Sequence, residues 1–385
     1  MSYLSRILRR TFSTSVSKTP ETTDFITIKS RSQSLFKERN LKRLVQKFKE
    51  SSEIDRFRTK TGVYEETVRR LASAKRFKWI KEILEDQKKY SDISREGFAV
   101  RLITLYGKSG MFDEASKTFD EMPERKCERT VKSLNALLGA CVNSKMFDKL
   151  EEIFRELPSK LSVSPDVFSY NIIIKGYCDM GSLDLALSML DEMEKNGVTP
   201  DLITFNTLLN EFCGKGQRLA DAEKIWARME AKNVVPDVRS YNAKLVGLAS
   251  EKKMSEAVRL IEEMESMGIK ADVFSFNALI KGFCNDEKME EAKKWFDKME
   301  ASDCAPDKTT YATLVPAVCE KGDFSLALEL CEKIFKRRRL VDVAVLQRVV
   351  DGLVKDSKIE EAKKLVELGK KNNYHRYNLK MPSDQ

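Results

Sequence analysis

The side chains best able to do chemistry in this 385-residue chain are few, and their spacing speaks against catalysis. The single histidine, His375, stands between Tyr374 and Arg376. No His-x-Glu segment and no Cys-x-x-Cys occur, so the donor set of a hydrolytic zinc centre is missing. Cys178, Cys213, Cys284 and Cys319 share one phase of a repeat of about 35 residues, which marks them as core thiols. An amide and a carboxylate recur in the same rhythm. Asn135, Asn171, Asn206, Asn242 and Asn277 are each followed 30 or 31 residues later by Asp166, Asp201, Asp237, Asp272 and Asp307. An amide beside a carboxylate supplies hydrogen-bond donors and acceptors, which suits recognition. Asn inside a helix costs a few tenths of a kcal/mol because its side chain competes for the backbone. Five in phase therefore need a reason, and lining a polar groove is one. The aspartates also suit helix N-caps, since each follows or begins a turn.

The elements that must carry these side chains follow from the period. The clearest unit runs from Val167 to Asp201, and three more follow in register to Asp307. Counting outward in the same phase gives units at 61–95, 96–130, 131–166, 167–201, 202–237, 238–272, 273–307, 308–342 and 343–377. A degenerate unit fits 26–60, and residues 378–385 remain as a tail. The first half of each unit places apolar residues at helical spacing, as in Tyr170, Ile173, Ile174 and Tyr177. A polar break follows, with Gly110, Gly181, Gly216 or Gly322, and then a second amphipathic stretch. Two antiparallel helices per unit are expected. Ala115, Ala186, Ala222, Ala257, Ala292, Ala327 and Ala362 recur in the second helix, where a methyl allows close approach. Met122, Met193, Met229, Met264 and Met299 recur near its end as gap-filling core. No hairpin buries both of its faces alone, so an all-α stack is expected.

Charge is unevenly placed. Residues 1–60 hold 15 Lys/Arg against 6 Asp/Glu, whereas the remainder holds 54 of each sign. The body is therefore not a broad polyanion-binding surface. Residues 307–385 are again positive, with 16 basic and 12 acidic side chains, the densest cluster being Lys336, Arg337, Arg338 and Arg339. That cluster reads either as a phosphate contact or as a solvated helix end. Residues 1–25 read as a transit peptide and leader: Arg6, Arg9, Arg10 and Lys18, eight Ser or Thr in the first twenty residues, and no acid before Glu21. No apolar run approaches a membrane span.

These residues resemble the pentatricopeptide repeat family, in the P-class form found in plant mitochondria. The Tyr/Phe-Asn opening, the central Gly, the in-phase Ala, the Glu-Met near the end and the Pro-Asp finish all match, most specifically over 131–307. The resemblance implies a right-handed α-solenoid of about nine helix-turn-helix repeats with a concave groove. It implies that each unit contacts one RNA base through its fifth and last residues, here Asn135 with Asp166, Asn171 with Asp201, Asn206 with Asp237, Asn242 with Asp272 and Asn277 with Asp307. In the family this pair resembles one that prefers uridine. Val100 with Thr130, Ala312 with Asp342 and Gln347 with Tyr377 depart from it. The second residue of a unit helps sandwich the base, here Lys132, Phe168, Ile203, Arg239, Phe274 and Thr309. Where many members carry Lys at the thirteenth position, this chain has Asn143, Asp179, Ser250, Asn285 and Glu320.

A short chain with basic ends and a neutral middle resembles the short members that serve as small-subunit components of plant mitochondrial ribosomes. The expected protein is non-catalytic, lies in the mitochondrial matrix (the chloroplast being the alternative), and contacts rRNA and neighbouring ribosomal proteins. It needs no cofactor, metal or small-molecule substrate. Two other readings stay open: a free adaptor on a uridine-rich single-stranded transcript, and a protein-only scaffold.

Overall fold

The computed structural model describes residues 20–214, 218–372 and 374–382, with side chains from residue 28 onward. The leader expected over 1–25 lies outside the described residues as far as residue 19, and so does Gly216. Among the described residues every regular element is helical. In chain order they are α1 (Pro20–Lys37), α2 (Leu41–Ser52), α3 (Asp55–Arg58), α4 (Thr61–Ser73), α5 (Phe77–Gln87), a 3-10 turn (Ser91–Ser94), α6 (Glu96–Lys108), α7 (Phe112–Asp120), α8 (Val131–Ser144) and α9 (Phe147–Leu161). There follow α10 (Val167–Met180), α11 (Leu183–Lys195), α12 (Leu202–Cys213), α13 (Leu219–Ala231), α14 (Val238–Ser250), α15 (Met254–Ser266), α16 (Val273–Asn285) and α17 (Met289–Ala301). The last are α18 (Lys308–Glu320), α19 (Phe324–Lys336), α20 (Val343–Lys355) and α21 (Ile359–Lys371). The chain divides into two compact units, residues 1–172 and 173–385.

Within each unit the first helix of a hairpin packs on the first helix of the next. In the second unit α12 lies against α14, α14 against α16, α16 against α18 and α18 against α20. In the first, α4 lies against α6 and α6 against α8. The in-phase alanines explain the close approach: Ala115, Ala186, Ala222, Ala257, Ala292, Ala327 and Ala362 are all buried, as are Met122, Met193, Met229, Met264 and Met299. The turn between paired helices needs one residue in the left-handed region. Gly110 (φ +73°) and Gly322 (φ +77°) supply it at no steric cost. Gly107 has a different role. A Cβ there would lie 2.6 Å from Ala140 Cα, so α6 and α8 approach backbone to backbone. Gly107→Ala is expected to destabilise the first unit by about 1–3 kcal/mol, because α8 itself must move. A lowered urea midpoint with unchanged helicity below it is the expected result, and an unchanged midpoint would contradict this packing.

Many of the balanced charges of the body are paired in the structure. Basic and acidic side chains pair one repeat apart: Lys49 with Glu82, Lys81 with Glu114 and Lys88 with Glu121 in the first unit. In the second, Arg228 pairs with Glu194, Lys298 with Glu265, Lys333 with Glu300 and Lys364 with Glu332. The exposed pairs among them contribute at most about 1 kcal/mol each, whereas Lys88 is buried.

Candidate nucleic-acid interface

The first helices present their second and fifth residues together. The buried side of α16 carries Phe276, Leu279, Ile280 and Phe283, which leaves Phe274 on the opposite side at 73% exposure. Phe168 and Ile203 are likewise exposed at 60% and 57%. Lys132, Arg239 and Thr309 are exposed at the same register. Phe274 is the most exposed of the large apolar side chains among the described residues.

The fifth-residue asparagines are not free amides. Asn206 Nδ2 donates to Asp237 Oδ1 at 3.0 Å, and Asn206 Oδ1 accepts from Ser240 Oγ at 2.6 Å. Asp237 Oδ1 also accepts the backbone N–H groups of Arg239 and Ser240, while Ser240 Oγ accepts the N–H of Asp237. The same closed set joins Asn242, Asp272 and Ser275, with bonds of 3.0 and 2.6 Å. It recurs in Asn277, Asp307 and Thr310 at 3.2 and 2.7 Å, and in Asn135, Asp166 and Ser169 at 3.0 and 2.6 Å. Each Asp is thus both an N-cap and the partner of an Asn. Asp201 caps α12 in a capping box with Thr204, and Asn171 occupies the fifth place of α10 at 9% exposure. Burial raises the Asp237 and Asp307 carboxyls, but the backbone amides and the Asn partner outweigh it and hold both below the ordinary value. Both are charged at neutral pH.

The hydroxyls of this set, Ser169, Ser240, Ser275 and Thr310, together with Thr204, escaped the sequence reading. All five are fully buried. The signal was present as Asp-x-x-Ser/Thr at each helix start, which is the pattern of a capping box.

In the second unit these elements frame a cleft of about 730 Å³, lined among others by Arg239, Asn242, Asp272, Phe274, Asn277 and Lys281. Arg239 and Lys281 are exposed, and neither makes an ion pair among the described residues. The acids that stand at the thirteenth position are paired. Asp179 pairs with Lys175 at 2.6 Å and Glu320 with Arg348 at 3.0 Å.

The departures from the Asn–Asp pattern have local explanations. Thr130 is no carboxylate, and Glu96 Oε1 instead accepts the Thr130 and Ser133 N–H groups and the Thr130 hydroxyl. Gln347 is consumed by the tail: its Nε2 donates to Lys380 O and its Oε1 accepts the Lys380 N–H. Tyr377 is buried against Phe335, with its hydroxyl on Val341 N. The tail thus occupies the edge of α20 that a further hairpin would cover.

The basic residues divide. Arg337 pairs with Glu300 at 2.7 Å, and the Arg339 carbonyl accepts a bond from the Tyr377 hydroxyl. Of the Lys336, Arg337, Arg338 and Arg339 cluster, Lys336 and Arg338 are exposed and outside any ion pair among the described residues. At the corner between α1 and α2, Lys37, Arg39, Lys42 and Arg43 are exposed and equally unpaired. Burial pushes the thiols of Cys178 and Cys213 up to about 12 and those of Cys284 and Cys319 up to about 11, which disfavours the reactive thiolate at these four positions. His375 lies exposed with its ring against Tyr377. Among the described residues no group of His, Cys, Asp or Glu is placed to hold a metal ion, and no helix is long and apolar enough to cross a membrane.

Stacked hairpins, several of them joined by an amide–carboxylate pair, define an all-α helical-repeat protein of the solenoid class. The sequence profile of the PPR repeat family matches residues 129–178, 165–214, 200–250, 236–285 and 271–320, and the related PPR repeat profile matches 101–127. The chain belongs to this pentatricopeptide repeat family. It is 51% identical to the Arabidopsis thaliana small ribosomal subunit protein mS78 (rPPR3a), over 51% of this chain and 53% of that protein. It is 57% identical to the small ribosomal subunit protein mS79 (rPPR3b) of the same plant, over 42% of this chain and 41% of that one. The chain thus spans about half the length of the curated relatives it matches. The crystal structure of the pentatricopeptide repeat protein PPR10 from maize superposes with a TM-score of 0.54 at 22% identity, over 93% of this chain and 49% of that one, and shares the fold.

Proposed function

We propose that this chain is a non-catalytic RNA-binding protein of the mitochondrial matrix, built into the small subunit of the mitochondrial ribosome, where it contacts rRNA and neighbouring ribosomal proteins. The observation that carries the reading is its similarity to mS78 and mS79, both named as small ribosomal subunit proteins. The arginine- and serine-rich, acid-poor composition of residues 1–20 supports the compartment. The charge distribution supports the mode of binding. The exposed cations at the α1–α2 corner and at Lys336 and Arg338 meet phosphate, while the body spends its charges on pairing between repeats. Between these ends, the second and fifth residues hold unpaired bases. A base at Asn242 stacks between Arg239 and Phe274, and one at Asn277 between Phe274 and Thr309, with Lys281 on the backbone. Lys132, Phe168 and Ile203 flank the bases at Asn135, Asn171 and Asn206. The Asn–Asp sets favour uridine.

A sedimentation gradient of mitochondrial lysate, with and without ribonuclease, tests the ribosomal reading. Comigration with the small subunit, lost in the K37E/R39E/K42E/R43E variant, is the expected result. Migration of the wild type near the top of the gradient would overturn it. A second reading, a free adaptor on a uridine-rich transcript, is favoured by the in-phase Asn–Asp sets and by that same top-of-gradient result.

A further inference from the structure

We infer that the buried hydroxyls of Ser169, Ser240, Ser275 and Thr310 are specificity-positioning residues, fixing which face of the neighbouring asparagine amide meets a base. The inference rests on the base-reading role proposed above and concerns a residue that touches no base.

A hydroxyl has one hydrogen to give. In the second unit Ser240 Oγ accepts the Asp237 N–H at 3.1 Å, and Ser275 Oγ and Thr310 Oγ1 accept those of Asp272 and Asp307 at 3.1 and 3.0 Å. Each hydroxyl has the Asn oxygen at 2.6 or 2.7 Å and the Asp Oδ1 at 3.1 or 3.2 Å, so its hydrogen goes to the nearer Asn oxygen. The amide is therefore held at both ends, its nitrogen on a carboxylate and its oxygen on a hydroxyl. Turned over, it would set its oxygen against the carboxylate, and the hydroxyl would have to give up its short bond to the Asn oxygen for the longer one to Asp Oδ1. The flip is forbidden electrostatically rather than by shape.

What remains unspent has a definite sense. Asn Nδ2 keeps one N–H. All the bonds received by Asp237, Asp272 and Asp307 fall on Oδ1, so Oδ2 has no partner among the described residues and keeps its lone pairs. Each set thus offers one donor beside one acceptor in fixed order. Uracil and cytosine have nearly the same outline and differ in the sense of hydrogen bonding at N3 and at the 4-position. Only groups of fixed sense tell them apart. A free Asp oxygen accepts the uracil N3–H and repels the cytosine N3 lone pair, while the amide N–H donates to a uracil carbonyl. Without the hydroxyl, the amide swings on its single remaining bond and the donor loses its place.

The test is the full chain carrying S240A, S275A and T310V together, against S240T and S275T, which keep the hydroxyl as Thr310 does natively. Binding is measured to a uridine strand and to the same strand with cytidine at the read positions. Loss of one hydrogen bond per site lowers the uridine-to-cytidine affinity ratio by about fivefold per site in the hydroxyl-less variant. The threonine variants retain the wild-type ratio. Side-chain amide NMR signals of Asn206, Asn242 and Asn277 shift and broaden only where the hydroxyl is gone. Equal weakening for both strands would reduce the hydroxyls to helix caps and overturn the inference. So would a wild-type ratio that survives their removal. A wild type with no preference for uridine overturns the base-reading role itself, and this inference with it.

Discussion

Arg58→Met lowers the unfolding free energy of the first unit by about 3 kcal/mol or more, the range measured when one partner of a buried ion pair is removed. Arg58 is 5% exposed and Asp92 4%. The guanidinium donates through Nε to Asp92 at 2.5 Å, through Nη1 to the Ser52 carbonyl at 2.8 Å and through Nη2 to Asp55 at 2.6 Å, and it stacks 4.1 Å from the Tyr90 ring centroid. One side chain thereby ties α2, α3 and the 3-10 turn together, in the segment that joins the basic α1–α2 corner to the repeats. Methionine keeps the apolar stem and strands the Asp92 carboxylate beside Arg95 alone. The double variant R58M/D92L removes both charges and should recover most of the loss, because an apolar pair of similar volume avoids the desolvation cost. Urea unfolding followed by circular dichroism reads both. An R58M chain as stable as wild type would mean that Arg58 only fills space.

Much of this was legible from periodicity, and the parts that were not have physical reasons. The in-phase alanines, methionines and asparagines repeat because similar hairpins meet similar neighbours, so counting in phase located the core and placed the asparagines at one register of the first helices. The hydroxyl at the third position was overlooked because Asp-x-x-Ser/Thr already has a sufficient local explanation, the capping box. Its bond to an Asn 33 or 34 residues earlier belongs to the stacking of hairpins, which a single unit does not show. Gln347 appeared as a broken pair because its partner is the backbone of Lys380, and backbone atoms leave no mark in residue identity. By its balanced composition the middle of the chain is no broad polyanion-binding surface. Many of its charges are committed to pairs one repeat apart, while Arg239 and Lys281 stay outside any ion pair among the described residues. Net charge could not reveal that, because it counts charges without their partners.

The largest effect on recognition is expected from replacing Asn206, Asn242 and Asn277 together with alanine. Each loses the amide N–H left over from the Asp bond and the amide that orders the neighbouring carboxylate, and Asn242 and Asn277 line the cleft itself. At about 1 kcal/mol for each hydrogen bond to a base, three sites weaken binding to a uridine strand by roughly 100-fold. Stability should hardly fall, because each Ser or Thr hydroxyl keeps its Asp Oδ1 contact at 3.1 or 3.2 Å and the helix caps persist. Removing Asn from a helix interior also recovers a few tenths of a kcal/mol per site. Fluorescence anisotropy with a short uridine strand, read beside a thermal melt, separates the outcomes. Lost binding with an unchanged melt identifies the amides as the reading atoms. Unchanged binding would place the contacts with RNA on the basic ends alone, at the α1–α2 corner and at Lys336 and Arg338, with the asparagines serving to lock one hairpin to the next. The ribosomal reading would survive that result, since a structural subunit grips folded RNA by its phosphates. The uridine preference would not.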